Sequence, residues 1–252
     1  TTVFLSAFLL FQVQPIIGKY ILPWFGSTSG VWATALLFFQ LMLLGGYAYA
    51  HFIVSRLTWR RQAMLHAVLL GLALTVLPIT PDDALKPTSA DAPVARILLI
   101  LAVSVGAPYL LLSATAPLIQ RWFAHLHPGR SPYRLYALSN LASLLALLSY
   151  PFLVEPYVRL RSQALYWSLG YVVFGALGAG CAWMLYRSLR GVGEAGPDSG
   201  RDDGPTPPSR PGAGVAILWL SLSACGSALL LATTNQMSMD IAVVPFLWIL
   251  PL

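Results

Sequence analysis

The chain has little charge. Only 10% of its 252 residues are Asp, Glu, Lys or Arg, against about 25% in a soluble domain, and its mean hydropathy is +0.71. That scarcity excludes an ordinary soluble globular fold. Cysteine is nearly lacking too: Cys181 and Cys225 each sit inside an apolar run, with no partner spacing for zinc or redox work, and both read as packing residues. His125 and His127 form an HxH without a third ligand nearby in sequence, so no metal or other cofactor is expected. Also missing is the alternating ten-residue pattern of an outer-membrane barrel, which leaves helices.

What the chain does hold is apolar runs approaching or exceeding the ~20 residues that cross a bilayer. Spans are expected at 2–22, 31–54, 62–79, 94–119, 133–154, 163–187 and 214–233, with an eighth beginning near 241. The expected fold is an all-α polytopic transmembrane bundle of about eight spans, the last truncated. The chain starts on Thr1 and stops inside VVPFLWILPL, so it reads as a fragment at both ends. No cleavable signal peptide is recognisable, because the first apolar segment lacks a basic leader and contains Gln12, Gln14 and Lys19.

Residues 191–213 differ from everything around them, being rich in Gly, Pro and Asp with no aliphatic run. They read as a flexible linker between a first six-helix bundle (1–190) and the start of a second (214–252). Gly191, Gly193 and Gly196 match GxGxxG there, but a dinucleotide fingerprint needs a strand before it and a helix after it. A membrane span precedes these glycines and a Pro-rich segment follows, so no nucleotide is expected.

The net charge of +6 falls in short connections, which argues for orientation rather than nucleic-acid binding. Arg56, Arg60, Arg61, Arg121, Arg130, Arg134, Arg187, Arg190, Arg201 and Arg210 lie on one side. Asp82, Asp83, Asp91, Glu155 and Asp240 lie on the other, joined against the trend by Arg159 and Arg161. The basic side and the N-terminus are therefore expected in the cytoplasm of an inner-membrane, multi-pass protein.

Polar groups in hydrocarbon are costly unless another helix or a water-filled cavity satisfies them. In YRLYALSNLASLLALLSYPFLVEP, Tyr136, Asn140 and Ser143 fall on one stripe, beside a small stripe of Ser139, Ala142, Ala146 and Ser149. Two readings stand: helix-to-helix pairing, or the lining of a solute cavity. Tyr133 and Tyr150 are expected at the two interfaces. The first span sets Gln12 and Gln14 beside Pro15, with Lys19 nearer the outer end. The fourth carries Pro108, Pro117 and Gln120 and is expected to bend. The seventh ends in Thr234 and Asn235, and Asp240 is expected in the N-terminal turn of the eighth helix, as a cap or a coupling residue.

Five separated segments carry a resemblance: FLLFQVQPIIGKYILPWFG, VWATALLFFQLMLLGGYAYAH, APLIQRWFA, the Tyr133–Pro156 stretch and LLLATTNQMSMDIAVVPFLWILPL. Together they resemble the membrane region of bacterial fused major-facilitator and spermidine-synthase-like proteins, sometimes labelled ferrichrome transporter permeases. The resemblance implies a major-facilitator-like bundle handling or presenting a small solute, with an aminopropyltransferase-like domain downstream. No catalytic site lies in this chain, which has neither a glycine-rich strand–loop–helix nor that enzyme's paired aspartates. The connection HFIVSRLTWRRQ also departs from the family pattern, lacking the Gly and Asp typical of that loop in transporters. A cavity between the first, fourth, fifth and seventh spans would be lined by Gln12, Gln14, Gln120, Tyr136, Asn140, Ser143, Thr234 and Asn235. The lack of carboxylates within it counts against a polyamine as the solute. The alternative is a non-transporting anchor or subunit of a larger membrane complex. Expected partners are the lipid bilayer, a small solute, and a fused or associated soluble domain or complex subunits.

Overall fold

Long apolar segments punctuated by Gly, Pro and basic connections fold as helices, because only internally satisfied backbone is stable in hydrocarbon. The computed structural model describes residues 1–26, 28–86, 92–127, 129–130, 132–189 and 212–240, excepting the side chains of 83, 234 and 237–240. It is all helical, with no strand among the described residues. The helices are α1 (Thr2–Phe25), α2 (Ser29–Arg56), α3 (Trp59–Ala73), α4 (Pro93–Leu101), α5 (Ala107–Leu126), α6 (Tyr133–Ser149), α7 (Leu160–Ser188) and α8 (Ala213–Asp240). Six described stretches are long and apolar enough to cross a membrane: 2–25, 29–56, 93–126, 133–154, 160–188 and 213–233.

Proline explains two interruptions. Pro108 lacks the N–H that the Ser104 carbonyl would accept, and the ladder passes through a π-helical turn, Ala102–Gly106, between α4 and α5. Pro151 acts likewise at the end of α6. There the turn is Tyr150–Val154, and the Glu155 N–H donates to the Tyr150 carbonyl at 2.8 Å, five residues back. Pro117 sits within continuous α-helix.

The third span is shorter than expected. Its α-helical part, α3, has 15 residues, starting beside Arg60 and Arg61 and giving way to a 3₁₀ turn, Leu74–Val76, ahead of Pro78. The seventh runs longer than expected. Nothing in Thr233–Gln236 breaks a helix, so α8 continues to Asp240, which is not in the first turn of a following helix. The eighth span and nearly all of the linker lie outside the described residues.

The chain divides into a unit at 1–197 and another at 198–252, whose described part is the single helix α8. In the first unit, α2 packs on α4 and α5, α5 on α1, and α1 on α6, giving a row of spans in the order second, fourth, first, fifth. Behind it α3 and α7 pack together, α7 against α1 and α3 against α5. Exchanging spans one to three with four to six turns the first–fifth pairing into the fourth–second, and returns the third–sixth and first–fourth pairings to themselves. The contacts of α2 with α1 and with α3, and of α5 with α7, depart from that symmetry.

Glycines set the closest approaches. A Cβ on Gly18 would lie 2.5 Å from the Trp32 ring, so α2 folds over onto α1 there, and Gly46 lets α5 approach α2. On α6 only Ala142 and Ala146 are buried, as its small stripe predicts. Leu141, Leu144, Leu145 and Leu148 face outward, where lipid would meet them.

Candidate functional site

The polar groups of the first unit fall into three sets. The first pairs helices. Gln12 is 4% exposed, and its Nε2 donates to the Ala146 carbonyl and to Ser149 Oγ, each at 2.9 Å, joining α1 to α6. Tyr150, expected at an interface, is instead fully buried. Its hydroxyl donates to Gln163 Oε1 at 3.2 Å, because the π-helical turn rotates the ring inward against α7. Lys19 pairs with Glu155 at 2.5 Å, and its Nζ lies 5.9 Å from the centre of the Tyr150 ring. Tyr133 is exposed at the opposite end of its span.

The second set is a buried network that the sequence reading passed over. His66 on α3 meets Thr115 Oγ1 of α5 through Nε2 at 3.0 Å and Tyr49 OH of α2 through Nδ1 at 3.4 Å. One turn away, Trp122 Nε1 donates to Gln62 Oε1 at 3.2 Å, and Gln62 Nε2 donates to the Leu57 carbonyl at 2.8 Å. His66, Thr115 and Gln62 are at most 1% exposed. They close the bundle near its basic connections, within an apolar cluster that includes Ile53, Leu118 and Leu185. His125 stacks on Trp59 and His127 on Phe123, and no described residues form a metal-binding cluster.

The third set lies on the face of the row turned away from α3 and α7. Gln14 Nε2 donates to the OH of the buried Tyr109 at 3.1 Å, linking α1 to α5. Gln120, half-buried, shares the Tyr109 stripe of α5 through Ser113 and Ala116. From α2, Tyr47 comes within electrostatic reach of both Tyr109 and Tyr136. Tyr47 and Tyr136 are each about half exposed. Asn140 is exposed and Ser143 half-buried on the flank of α6 that carries Tyr136. Ser143 Oγ donates to the Ser139 carbonyl at 3.0 Å.

The expected residues therefore separate. Tyr136, Asn140 and Ser143 share one flank of α6, while Gln14 bonds to Tyr109 of α5 and Gln120 lies on the Tyr109 stripe of that helix. Gln12 stands apart from these, since both of its donor hydrogens go to α6. Asn235 belongs to α8, in the other unit, while the side chains of Thr234 and Asp240 lie outside the described residues. The sequence reading missed Tyr47, whose i+4 partner His51 is also exposed on α2. The residues of this third set are neutral hydrogen-bonding and aromatic groups. Such a surface suits a solute that hydrogen-bonds and stacks more than one carrying a large net charge.

Comparison with protein-family models, with curated proteins and with solved structures yields no match for this chain.

Proposed function

We propose that the chain is the transporter-like membrane domain of a major-facilitator-type protein, and that the α1, α2, α5 and α6 face forms a trough, its half of a path for a small solute. The observation that carries this reading is the exposure of Tyr47, Tyr136 and Asn140, with Tyr47 in electrostatic reach of Tyr136 and of the buried Tyr109 to which Gln14 donates. Elsewhere the outward residues of α6 and α7 are mainly Leu, Val and aromatic groups. Exposed hydrogen-bonding groups at membrane depth are costly against lipid and inexpensive against water or solute. The order second, fourth, first, fifth, backed by the third and sixth, supports the same reading, because nested three-helix repeats are how major-facilitator halves are built. In such a fold a second half would close the trough, and in the fused family a soluble domain would follow. The basic connections would face the cytoplasm of a bacterial inner membrane.

Replacing Asn140 with alanine tests this in vesicles offered a panel of small amines, amino acids and other polar solutes. Lost uptake with an unchanged elution profile is expected, since Asn140 is exposed. Unchanged uptake of a solute that the parent protein carries would refute the role. A second reading, a membrane anchor or complex subunit, is favoured by the breadth of the α6 surface that its own unit leaves open. It predicts that Asn140→Ala lowers co-purification of a partner and that no solute is carried.

A further inference from the structure

At the end of the bundle away from the basic connections, a concavity of about 640 Å³ opens between the end of α1, the segment after α3 and the first turns of α7. None of its lining residues belongs to α2, α5 or α6, so it is separate from the trough. Arg161 and Asp82 both line it and both are exposed. No ion pair joins them to each other or to another described residue. The Ala84 N–H donates to Asp82 Oδ1 at 3.0 Å, which orients the carboxylate and leaves its second oxygen open. Tyr20, Trp24, Pro78 and Leu165 supply apolar walls, and Lys86 lies over the Trp24 ring at 5.7 Å from its centre.

Two opposite charges, unpaired and lining one partly apolar space, complement a molecule that carries two opposite charges on a short carbon frame. We infer that this concavity binds a small zwitterion, its carboxylate on Arg161, its ammonium on Asp82 and its side chain against Tyr20 and Trp24. The guanidinium fork matches a carboxylate in geometry as well as charge. The role also accounts for Arg161, one of the two arginines that stand against the trend on the acidic side. The headgroup of phosphatidylethanolamine, a phosphate and an ammonium, shares this chemistry and is the second possible source. The inference does not depend on the trough reading.

The test uses the protein in phosphatidylglycerol nanodiscs, titrated calorimetrically with L-phenylalanine and with its half-charged analogues phenethylamine and hydrocinnamate. Phenylalanine is expected to bind, and each analogue to bind about tenfold more weakly or worse. Arg161→Gln and Asp82→Asn are each expected to cost at least about tenfold in affinity while leaving the elution volume unchanged. Phosphatidylethanolamine is added in a separate arm, with its retention read by native mass spectrometry. Retention that both variants abolish, without phenylalanine binding, assigns the site to the headgroup. Binding of neither compound, or binding that both variants leave intact, overturns the inference.

Discussion

Gly45 and Gly46 are neighbours on α2, and alanine at each should have opposite consequences. A Cβ on Gly46 would sit 1.8 Å from Ser113 Oγ and 2.7 Å from the Leu110 carbonyl oxygen on α5. Rotating Ser113 away relieves the first contact but gives up the bond its hydroxyl donates to that same carbonyl at 2.8 Å. The second contact is with backbone, and it falls short of an ordinary carbon–oxygen approach of about 3.3 Å by roughly half an ångström, so α2 and α5 must part. Overpacking of this kind costs about 1–3 kcal/mol, from which a helix-propensity gain of up to ~1 kcal/mol is subtracted. On Gly45 a Cβ would meet only Leu110 Cδ1 at 3.7 Å, an ordinary contact, so the propensity gain stands alone. Gly45→Ala should therefore exceed Gly46→Ala in stability by about 2 kcal/mol. Denaturant-induced unfolding in mixed micelles, followed by tryptophan fluorescence, reads the difference. Equal midpoints for the two variants would refute this account of the α2–α5 crossing.

Other substitutions probe the polar sets. Gln12→Leu removes two inter-helix bonds and should cost about 1–3 kcal/mol at ~0.6–1.7 kcal/mol per bond. A double-mutant cycle with Ser149→Ala should return a coupling near the lower of those per-bond values, and a coupling of zero would argue against the pairing. Gln62→Leu leaves the buried Trp122 N–H without its acceptor and should cost about 1–3 kcal/mol in the same unfolding assay. Lys19→Met and Glu155→Gln should each cost about 1 kcal/mol or less, because the paired side chains remain 26% and 27% exposed. The double variant should be no worse than the worse single, and a strongly additive loss would place the two residues in different interactions.

Hydropathy made six crossing-length stretches legible, and the small stripe of Ala142 and Ala146 was legible as a packing surface. Helix breakers were visible too, but their effect was not: Pro108 and Pro151 displace the hydrogen-bond ladder through π-helical turns, which turns Tyr150 inward. The polar stripe of α6 could be seen, yet its direction depends on which flank meets α1, a tertiary fact that periodicity leaves open. Gln12 and Gln14 illustrate the same gap. Two residues apart on one helix, they bond to α6 and to α5 respectively, so each joins a different helix pair. The network around His66 had a signal in the sequence, since Gln62 and His66 lie i, i+4 on an apolar helix, and Thr115 and Trp122 lie i, i+7 on another. Each pair alone resembles ordinary amphipathic spacing, and only their apposition makes a network.

The central claim, that water or solute rather than lipid meets the α1, α2, α5 and α6 face, is open to direct measurement without knowing the solute. In a background with Cys181 and Cys225 replaced by alanine, single cysteines would be placed at Tyr47 and Asn140 on the trough, and at Leu145 and Leu148 on the outward flank of α6. Each would then be exposed in membranes to a charged, water-soluble maleimide, which reacts with thiolate in water and scarcely in hydrocarbon. The account predicts modification at positions 47 and 140 and protection at 145 and 148. Protection at all four positions, or equal modification of both flanks, would contradict it.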